Sequence, residues 1–206
     1  QLRLADMRAS AARGEGMRVL EGLQVTASGP ALLTLWSRFA LDMAERWRAL
    51  DPRMRVDWAG PPMSVRSSIT ARQMETWAHG QALFDLCGQE RAESDRLRNI
   101  VVLGVNTFGW SHQVRGWQVP EHMPRIELIG PQGQSWCFGE PGDAGLIRGS
   151  ATGFAQVVTQ TRHLLDTDLR VEGEIAKHWM LNAQCFAGPP EQPPAPGLRC
   201  KSTHLA

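Results

Sequence analysis

The sequence predicts an α+β protein in which a helical portion precedes a smaller portion of mixed strands and helices. Apolar residues first recur at every third and fourth position, whereas later short apolar stretches are separated by Pro and Gly turns. With 206 residues, the chain can form one large domain or two small ones. The pattern changes near Trp110–His112, so we predict domains at residues 1–111 and 112–188, followed by a Pro-rich tail at 189–206.

The first portion is predicted to be helical. Its clearest helix begins near Ala31, because Leu, Trp, Phe and Met recur there at spacings of three and four until Asp51-Pro52. Residues 51–66 hold three prolines and are predicted to form a structured loop. The predicted helices are one before Gly14, Ala31–Leu50, one from Ser67 or Ser68 to about Cys87, and Ser94 to about Phe108.

The second portion is predicted to alternate strands and helices. The predicted strands are Val114–Val119, Arg125–Ile129, Gln134–Phe138 and Asp168–Val171. The predicted helices are Ser150–Leu165 and Gly173–Phe186. From Gly188 onward the density of proline predicts an extended or disordered strap.

Charge and composition exclude several classes of partner. The formal net charge is +1, from 22 basic and 21 acidic residues, so there is no charged field for nucleic acid or an anionic membrane. No apolar run approaches the length of a transmembrane helix and no signal peptide opens the chain, so we expect a cytoplasmic protein. The expected partner is a small-molecule substrate or another copy of the chain.

Cysteine spacing does not indicate a site. Cys87, Cys137, Cys185 and Cys200 are far apart and form no C-x-x-C. This spacing argues against a disulfide framework and against a zinc site built from thiolates.

Glu75 and His79 are the strongest candidates for chemistry. They lie four residues apart on a predicted helix, so both side chains occupy one face and can bind one divalent metal ion. Glu174 and His178 have the same spacing on another predicted helix, which shows that spacing alone is weak. The plain alternative for each pair is a carboxylate–imidazole contact worth a few tenths of a kcal/mol.

The surroundings favour the first pair. Met74 and Trp77 flank Glu75 and His79, and Gly80 leaves room beside the imidazole, so we predict that this pair faces an interior or a cleft. A solvated face is more natural for the second pair, next to Lys177.

Arg162 is the candidate for binding a substrate. It falls late in the predicted helix Ser150–Leu165 and is either a surface arginine at a helix end or a bidentate partner for a substrate carboxylate. The remaining histidines are interpreted as turn, surface or ordinary hydrogen-bonding residues; they are His112, His122, His163 and His204. Sequence patterns for nucleotide binding and acyl hydrolysis do not occur.

Several segments together resemble a bacterial group of metal-binding proteins related to mycothiol-dependent maleylpyruvate isomerase, in the DinB-like superfamily. Some members of this group carry the description of a wyosine base formation domain. The likeness covers about residues 15 to 190. The segments that carry it are Gly60-Pro61-Pro62-Met63-Ser64, Ala71-Arg72-Gln73-Met74-Glu75-Thr76-Trp77-Ala78-His79-Gly80-Gln81, Asp95-Arg96-Leu97-Arg98-Asn99-Ile100, Val158-Thr159-Gln160-Thr161-Arg162 and Ala183-Gln184-Cys185-Phe186-Ala187-Gly188-Pro189-Pro190.

The resemblance implies a DinB-like helical bundle with one divalent metal, usually taken as zinc, followed by a small α+β domain. It implies that Glu75 and His79 are metal ligands and that Glu174 and His178 are not. It also implies an open metal position for water or a low-molecular-weight thiol, and a role for Arg162 in assisting the substrate.

The third metal ligand of that superfamily is a His on an earlier helix, and this chain has no His between Gln1 and Ala78. The preferred explanation is that an N-terminal hairpin of the bundle is missing from the chain. The alternatives are that the site has been lost or that a partner chain completes it.

Two functions follow from the sequence. The first is a metal-dependent, thiol-using transferase or isomerase that acts on a small organic acid. The alternative is a non-catalytic metal- or ligand-binding protein with an incomplete metal site, whose pocket is lined by Trp77, Met74 and their neighbours.

Overall fold

The structure, a computed structural model, describes residues 26–58 and 62–200 together with Ala9. It is a mixed structure of helices and small sheets, in agreement with the α+β prediction. The helix predicted before Gly14 and the position of His204 lie outside the described residues. The chain divides into two compact units, Gln1–Ile69 and Thr70–Ala206. The DinB-like bundle and the domain limits at 111 and 188 stay predictions.

In the described part of the first unit, a long helix, α1 (Gly29–Arg48), lies where Ala31–Leu50 was predicted. Pro30 favours its first turn, because proline fixes φ near the helical value and lacks an N–H that the first turn would leave unpaired. No residue of α1 is buried, and its apolar side chains include Trp36 at 55% and Phe39 at 69% exposure.

The Pro-rich segment after α1 was predicted to be a structured loop, and it contains two short paired strands. Strands β1 (Arg55–Val56) and β2 (Met63–Ser64) form a short antiparallel ribbon, with Arg55 opposite Ser64. The Val65 N–H donates to the Met54 carbonyl at 2.9 Å and so closes this ribbon at the start of the next helix.

Helix α2 (Val65–Leu86) carries the predicted metal pair and continues from the first unit into the second. Its buried stripe is Met74, Trp77, Gln81 and Asp85, which follows the helical period. The helix ends as predicted at Gly88, which adopts φ +63°, and the Gln89 N–H donates to the Phe84 carbonyl at 2.9 Å.

Three further helices of the second unit begin close to the predicted positions, but the last two end well before the predicted limits at Leu165 and Phe186. Helix α3 is Leu97–Asn106, helix α5 is Ala151–Val158 and helix α6 is Glu174–Met180. Helix α5 begins after Ser150, whose hydroxyl accepts from the Gly153 N–H at 2.9 Å as an N-cap.

The strand predicted at Val114–Val119 is wrong. Helix α4 (Phe108–Gln113) follows α3 after Thr107, and a turn through Gly116 replaces the strand. Gly109 does not end the helical region, because it lies inside α4.

A four-stranded sheet covers one side of the second unit, in the order β4-β3-β5-β6. Its strands are β3 (Arg125–Ile129), β4 (Ser135–Phe138), β5 (Leu146–Ser150) and β6 (Arg170–Glu172). Strand β3 is parallel to β5 and antiparallel to β4, and β6 is antiparallel to β5. Strand β5 was not predicted.

Side chains of the sheet and of α2 to α6 form one hydrophobic core. On β3, Ile126 and Leu128 point into it and Glu127 points away, as the period of a strand requires. The larger members of the core are Met74, Trp77, Leu97, Ile100, Val101, Phe108, Ile126, Leu128, Trp136, Ile147, Phe154, Val158, Trp179 and Met180.

Residues 188–200 contain no helix or strand and run as a strap along the second unit. The Glu191 carbonyl accepts from the Gln160 side chain at 3.1 Å, the Asp166 carboxylate accepts from the Gly197 N–H at 2.9 Å, and the Arg199 guanidinium donates to the Gln160 carbonyl at 2.9 Å. Backbone and side-chain hydrogen bonds thus hold the strap where sequence alone predicts only an extended segment.

None of the helices in the described part of the chain combines the length and the apolar character that a bilayer-spanning segment needs.

Candidate functional site

Glu75 and His79 are in contact on the surface of α2. The Glu75 Oε2 and His79 Nε2 atoms lie 3.3 Å apart, and the two side chains are 47% and 85% exposed. The helix positions the pair, because residues four apart stack one turn above another. Both side chains are therefore accessible to an ion from solvent.

The second E-x-x-x-H pair behaves differently. The Glu174 carboxylate accepts from Lys177 Nζ at 3.3 Å, while the His178 ring lies against the Trp117 ring with centroids 4.7 Å apart. The same spacing thus gives a carboxylate–imidazole contact at Glu75 and His79 and other partners at Glu174 and His178.

An open cavity of about 520 Å³ lies beside His79. Its walls are six residues of α2 between Ala78 and Leu86, together with Thr161 and the strap residues Leu198, Arg199 and Cys200. His79 lines this cavity and Glu75 does not, so the cleft predicted for the pair lies beside His79 alone. Met74 and Trp77, which sequence placed around it, belong instead to the hydrophobic core.

Arg162 lies beneath this cavity in a buried ion pair. Its Nη1 and Nη2 atoms donate to the two carboxylate oxygens of Asp85 at 2.7 and 2.5 Å, and Asp85 itself lines the cavity. The Arg162 and Asp85 side chains are 8% and 12% exposed. Gln81 Nε2 also donates to Asp85 at 3.0 Å. The carboxylate that Arg162 holds in this structure belongs to the chain itself, and a role of Arg162 in binding a substrate stays a prediction.

Arg162 does not lie on a helix as predicted. Helix α5 ends at Val158, and Gln160 takes a left-handed conformation with φ +55°. This turn directs Arg162 inward to Asp85. No Gly or Pro marks the turn, so the sequence carried no signal for it.

Gly80 was predicted to leave room beside the His79 imidazole, but its neighbour in the structure is Arg91. A Cβ at this position would lie 3.0 Å from Arg91 Nη2, so the space beside Gly80 holds the Arg91 guanidinium. Arg91 donates to the Trp77 carbonyl at 2.7 Å and lies over the Trp77 and Phe84 rings. The role of Arg91 in holding α2 was not predicted.

Glu93 completes this support of α2. Trp77 Nε1 donates to both Glu93 oxygens, at 3.0 and 3.1 Å. Burial raises the pKa of the Glu93 carboxyl, against the opposing effects of the Trp77 hydrogen bond and the Arg91 charge.

The four cysteine side chains differ in burial. Burial raises the pKa of Cys185 far above its ordinary value, and the negative charge of Glu75 raises it further. Cys185 is therefore a neutral thiol near the candidate site and not a nucleophile. Cys87, Cys137 and Cys200 are exposed, and Cys200 lies at the wall of the cavity.

Within residues 26–58 and 62–200, no three His, Cys, Asp or Glu side chains are grouped so that they would hold a metal ion. The pair on α2 thus offers two donors, from a carboxylate and an imidazole. A typical protein zinc site has three or four protein ligands.

Comparison with known proteins places the chain in a family. Residues 4–84 match the family described as mycothiol maleylpyruvate isomerase N-terminal domain, and both Glu75 and His79 fall inside this match. Two uncharacterised proteins of Mycobacterium tuberculosis, from strains CDC 1551 / Oshkosh and H37Rv, are each 40% identical over 185 residues, which is 89% of this chain and 72% of theirs. The chain belongs to the family of these mycobacterial proteins. No solved structure matches it.

The family supports the coarser part of the sequence prediction, namely a relation to the isomerase group through its N-terminal domain. Metal binding, the ligand roles of Glu75 and His79, and the likeness to wyosine proteins stay predictions.

Proposed function

We propose that this protein is a divalent-metal-dependent, thiol-using transferase or isomerase that acts on a small organic acid. In this proposal Glu75 and His79 are two of the protein ligands of the metal, which we take to be zinc. The match of residues 4–84 to the mycothiol maleylpyruvate isomerase N-terminal domain supports the reaction class.

The observation that carries the proposal is the contact between Glu75 and His79. Their 3.3 Å separation brings side by side two groups that can each donate to zinc. Arg91 and Arg162 hold the helix that carries them, and His79 lines the cavity. Glu174 and His178 have the same spacing and do not make this arrangement, so it is specific to one of the two pairs.

Donor chemistry and accessibility fit two positions of a three-ligand zinc site. A zinc ion bound there would stabilise a coordinated thiol as its thiolate at neutral pH. The chain's own contribution is to hold Glu75 and His79 on a rigid helix and to provide the cavity that a small acid and a thiol can enter.

The thiol is proposed to be a low-molecular-weight cofactor. Cys185, the thiol influenced by the Glu75 charge, keeps its proton because burial raises its pKa. Cys200 lies in the cavity wall, with its Sγ 3.6 Å from the Gly197 carbonyl oxygen. Replacing Cys200 with Ser therefore separates the chain's own thiol from an added one.

Arg162 is proposed to act through Asp85. Both of its terminal nitrogens are occupied by the Asp85 carboxylate, so a direct contact with the substrate would require the substrate carboxylate to displace Asp85. As a positioning residue, Arg162 fixes Asp85, which lies six positions after His79 on α2.

Cobalt substitution tests the proposal. We expect Co²⁺-loaded protein to develop a thiolate-to-metal absorption band when a small monothiol is added, and we expect Cys200→Ser to keep the band. His79→Ala should lose it, whereas His122→Ala, at an exposed histidine outside the cavity, should not. A band of equal strength in His79→Ala would overturn the assignment.

The alternative is a non-catalytic metal- or ligand-binding protein. The observation that favours it is that the described residues supply no third metal ligand. In that case the protein binds Co²⁺ without a thiol-dependent band, and small acids bind in the cavity without being converted.

A further inference from the structure

Two imidazoles from different helices meet away from the Glu75 and His79 pair. The rings of His112, in α4, and His178, in α6, have centroids 5.6 Å apart and an interplanar angle of 37°. We propose that His112 and His178 form a second metal site, which binds a divalent transition ion through two imidazole nitrogens.

His112 is prepared for this role by its backbone partner. Its Nδ1–H donates to the Phe108 carbonyl at 2.9 Å, so in the neutral ring the lone pair is on Nε2. Metal-binding histidines typically donate their other ring N–H to a carbonyl or carboxylate, which fixes the tautomer and the ring orientation. The Phe108 ring, edge-on at 4.9 Å, also restrains this buried imidazole.

His178 gives the site access from solvent. It is exposed, and its ring lies against Trp117, whose centroid is 4.7 Å away. Trp117 also lies 6.5 Å from the His112 ring. One buried and one exposed imidazole therefore share an aromatic neighbour that can report on the ion.

The ring separation is compatible with one shared ion. With metal–nitrogen bonds of about 2.0–2.1 Å, two imidazoles on one tetrahedral or trigonal ion have ring centres roughly 5 to 6 Å apart. The observed 5.6 Å falls in this range.

The charges nearby limit the affinity. The Arg115 guanidinium lies 5.6 Å from the Trp117 ring centre, and Lys177 neighbours His178, although Lys177 is paired with Glu174. The two imidazoles have no third His, Cys, Asp or Glu ligand grouped with them in the described part of the chain, so water completes the coordination. We expect weak binding that favours Ni²⁺, Cu²⁺ and Zn²⁺ over Mg²⁺ and Ca²⁺, because imidazole suits the former ions.

Titration with Ni²⁺ tests the site in a His79→Ala chain, which removes the metal pair of the proposed function. We expect this chain to bind Ni²⁺ with quenching of tryptophan fluorescence. Adding His178→Ala should weaken binding at least tenfold, whereas adding His122→Ala should leave it unchanged. Equal affinity with and without His178, or no binding by the His79→Ala chain, would overturn the site and leave the proposed function at Glu75 and His79 untouched.

Trp117→Phe locates the ion. This change should keep Ni²⁺ binding and remove most of the quenching, because the Trp117 ring is the one beside His178. Unchanged quenching would place the ion elsewhere.

His112→Gln tests the buried ligand. Cooperative melting would show that the His112→Gln variant is folded. A folded variant should not bind Ni²⁺, and Ni²⁺ binding by it would contradict the proposal. Because His112 is buried and this variant can fail to fold, the exposed His178 keeps the test decisive.

Discussion

Arg162 and Asp85 form a buried ion pair that could not be recognised from the sequence. Arginine is the side chain best suited to a carboxylate, and Arg162 does hold one, but it belongs to Asp85 in α2. Asp85 lies 77 positions earlier in the chain, so no local pattern joins the two residues. Gln81, one turn before Asp85, uses a further lone pair of the same carboxylate.

Breaking this buried pair should be costly. Arg162→Met removes the bidentate guanidinium from the buried Asp85 carboxylate, and we expect a loss of about 3–5 kcal/mol in the free energy of unfolding. Arg162→Met with Asp85→Leu should lose much less, because neither charge then remains. Chemical denaturation measures both variants.

Arg148 supplies the control for this prediction. Its ion pair with Glu127, at 2.8 Å, involves an arginine side chain that is 56% exposed, so Arg148→Met should destabilise the protein much less than Arg162→Met. An Arg162→Met variant as stable as Arg148→Met would mean that the buried pair contributes nothing to folding.

Glu93 should make stability depend on pH. Burial raises the pKa of its carboxyl, so the folded protein holds this proton to a higher pH than the unfolded chain does. This contribution to stability is fully present below the ordinary pKa of glutamate and is lost as pH rises through the raised pKa of Glu93. The stability of wild type relative to Glu93→Gln should therefore fall across that window.

Denaturation of both proteins at a series of pH values checks this expectation. Glu174→Gln is the matched control, since the Glu174 side chain is 92% exposed. A constant difference between wild type and Glu93→Gln across the same pH range would be evidence against a raised pKa.

At the scale of elements, periodicity predicted the long helices well. Helices α1, α2 and α3 lie within a few residues of their predicted limits, because apolar spacing and the stop at Gly88 are local signals. Strand β5 was missed, since Leu146 and Ile147 are followed by Arg148 and Gly149, which give no clear alternation. The parallel pairing with β3 that makes it a strand comes from distant residues.

Helix α5 shows a different failure. Its predicted extension to Leu165 follows from residues that favour a helix, but tertiary contacts hold Gln160 in a left-handed turn. Gln160 Nε2 donates to the Ala183 carbonyl at 3.0 Å and to the Glu191 carbonyl of the strap. The residue pattern within one segment cannot predict these long-range hydrogen bonds.

Helices α3 and α5 should depend on Gly104 for their packing. A Cβ at Gly104 would lie 2.8 Å from Val158 Cγ2 and 3.0 Å from Phe154 Cε1, both fully buried side chains. Gly104→Ala should therefore destabilise the protein by about 1–3 kcal/mol through overpacking, despite the better helix propensity of alanine. Thermal or chemical unfolding measures the change.

Gly109→Ala is the matched control in α4. The nearest atom to its added Cβ is 3.8 Å away, an ordinary contact, so this variant should be neutral or more stable by up to about 1 kcal/mol. If Gly104→Ala stabilised the protein as Gly109→Ala does, that result would contradict the close contact between α3 and α5 at Gly104.

At the scale of the whole molecule, the near-neutral charge of +1 agrees with the prediction of a small-molecule partner and does not test it. The spacing of Glu75 and His79 made their contact possible, but Glu174 and His178 show that the same spacing does not by itself produce it. Their surroundings were not predictable, since the cavity is built from α2, Thr161 and the distant strap. Self-association likewise stays a prediction.

The central claim is that Glu75 and His79 bind a divalent metal, and elemental analysis of purified protein tests it most directly. A His178→Ala background excludes the second proposed site. In that background we expect close to one equivalent of zinc, loss of the zinc on adding His79→Ala, and retention on adding His122→Ala. Zinc content that is unchanged by His79→Ala would contradict the claim.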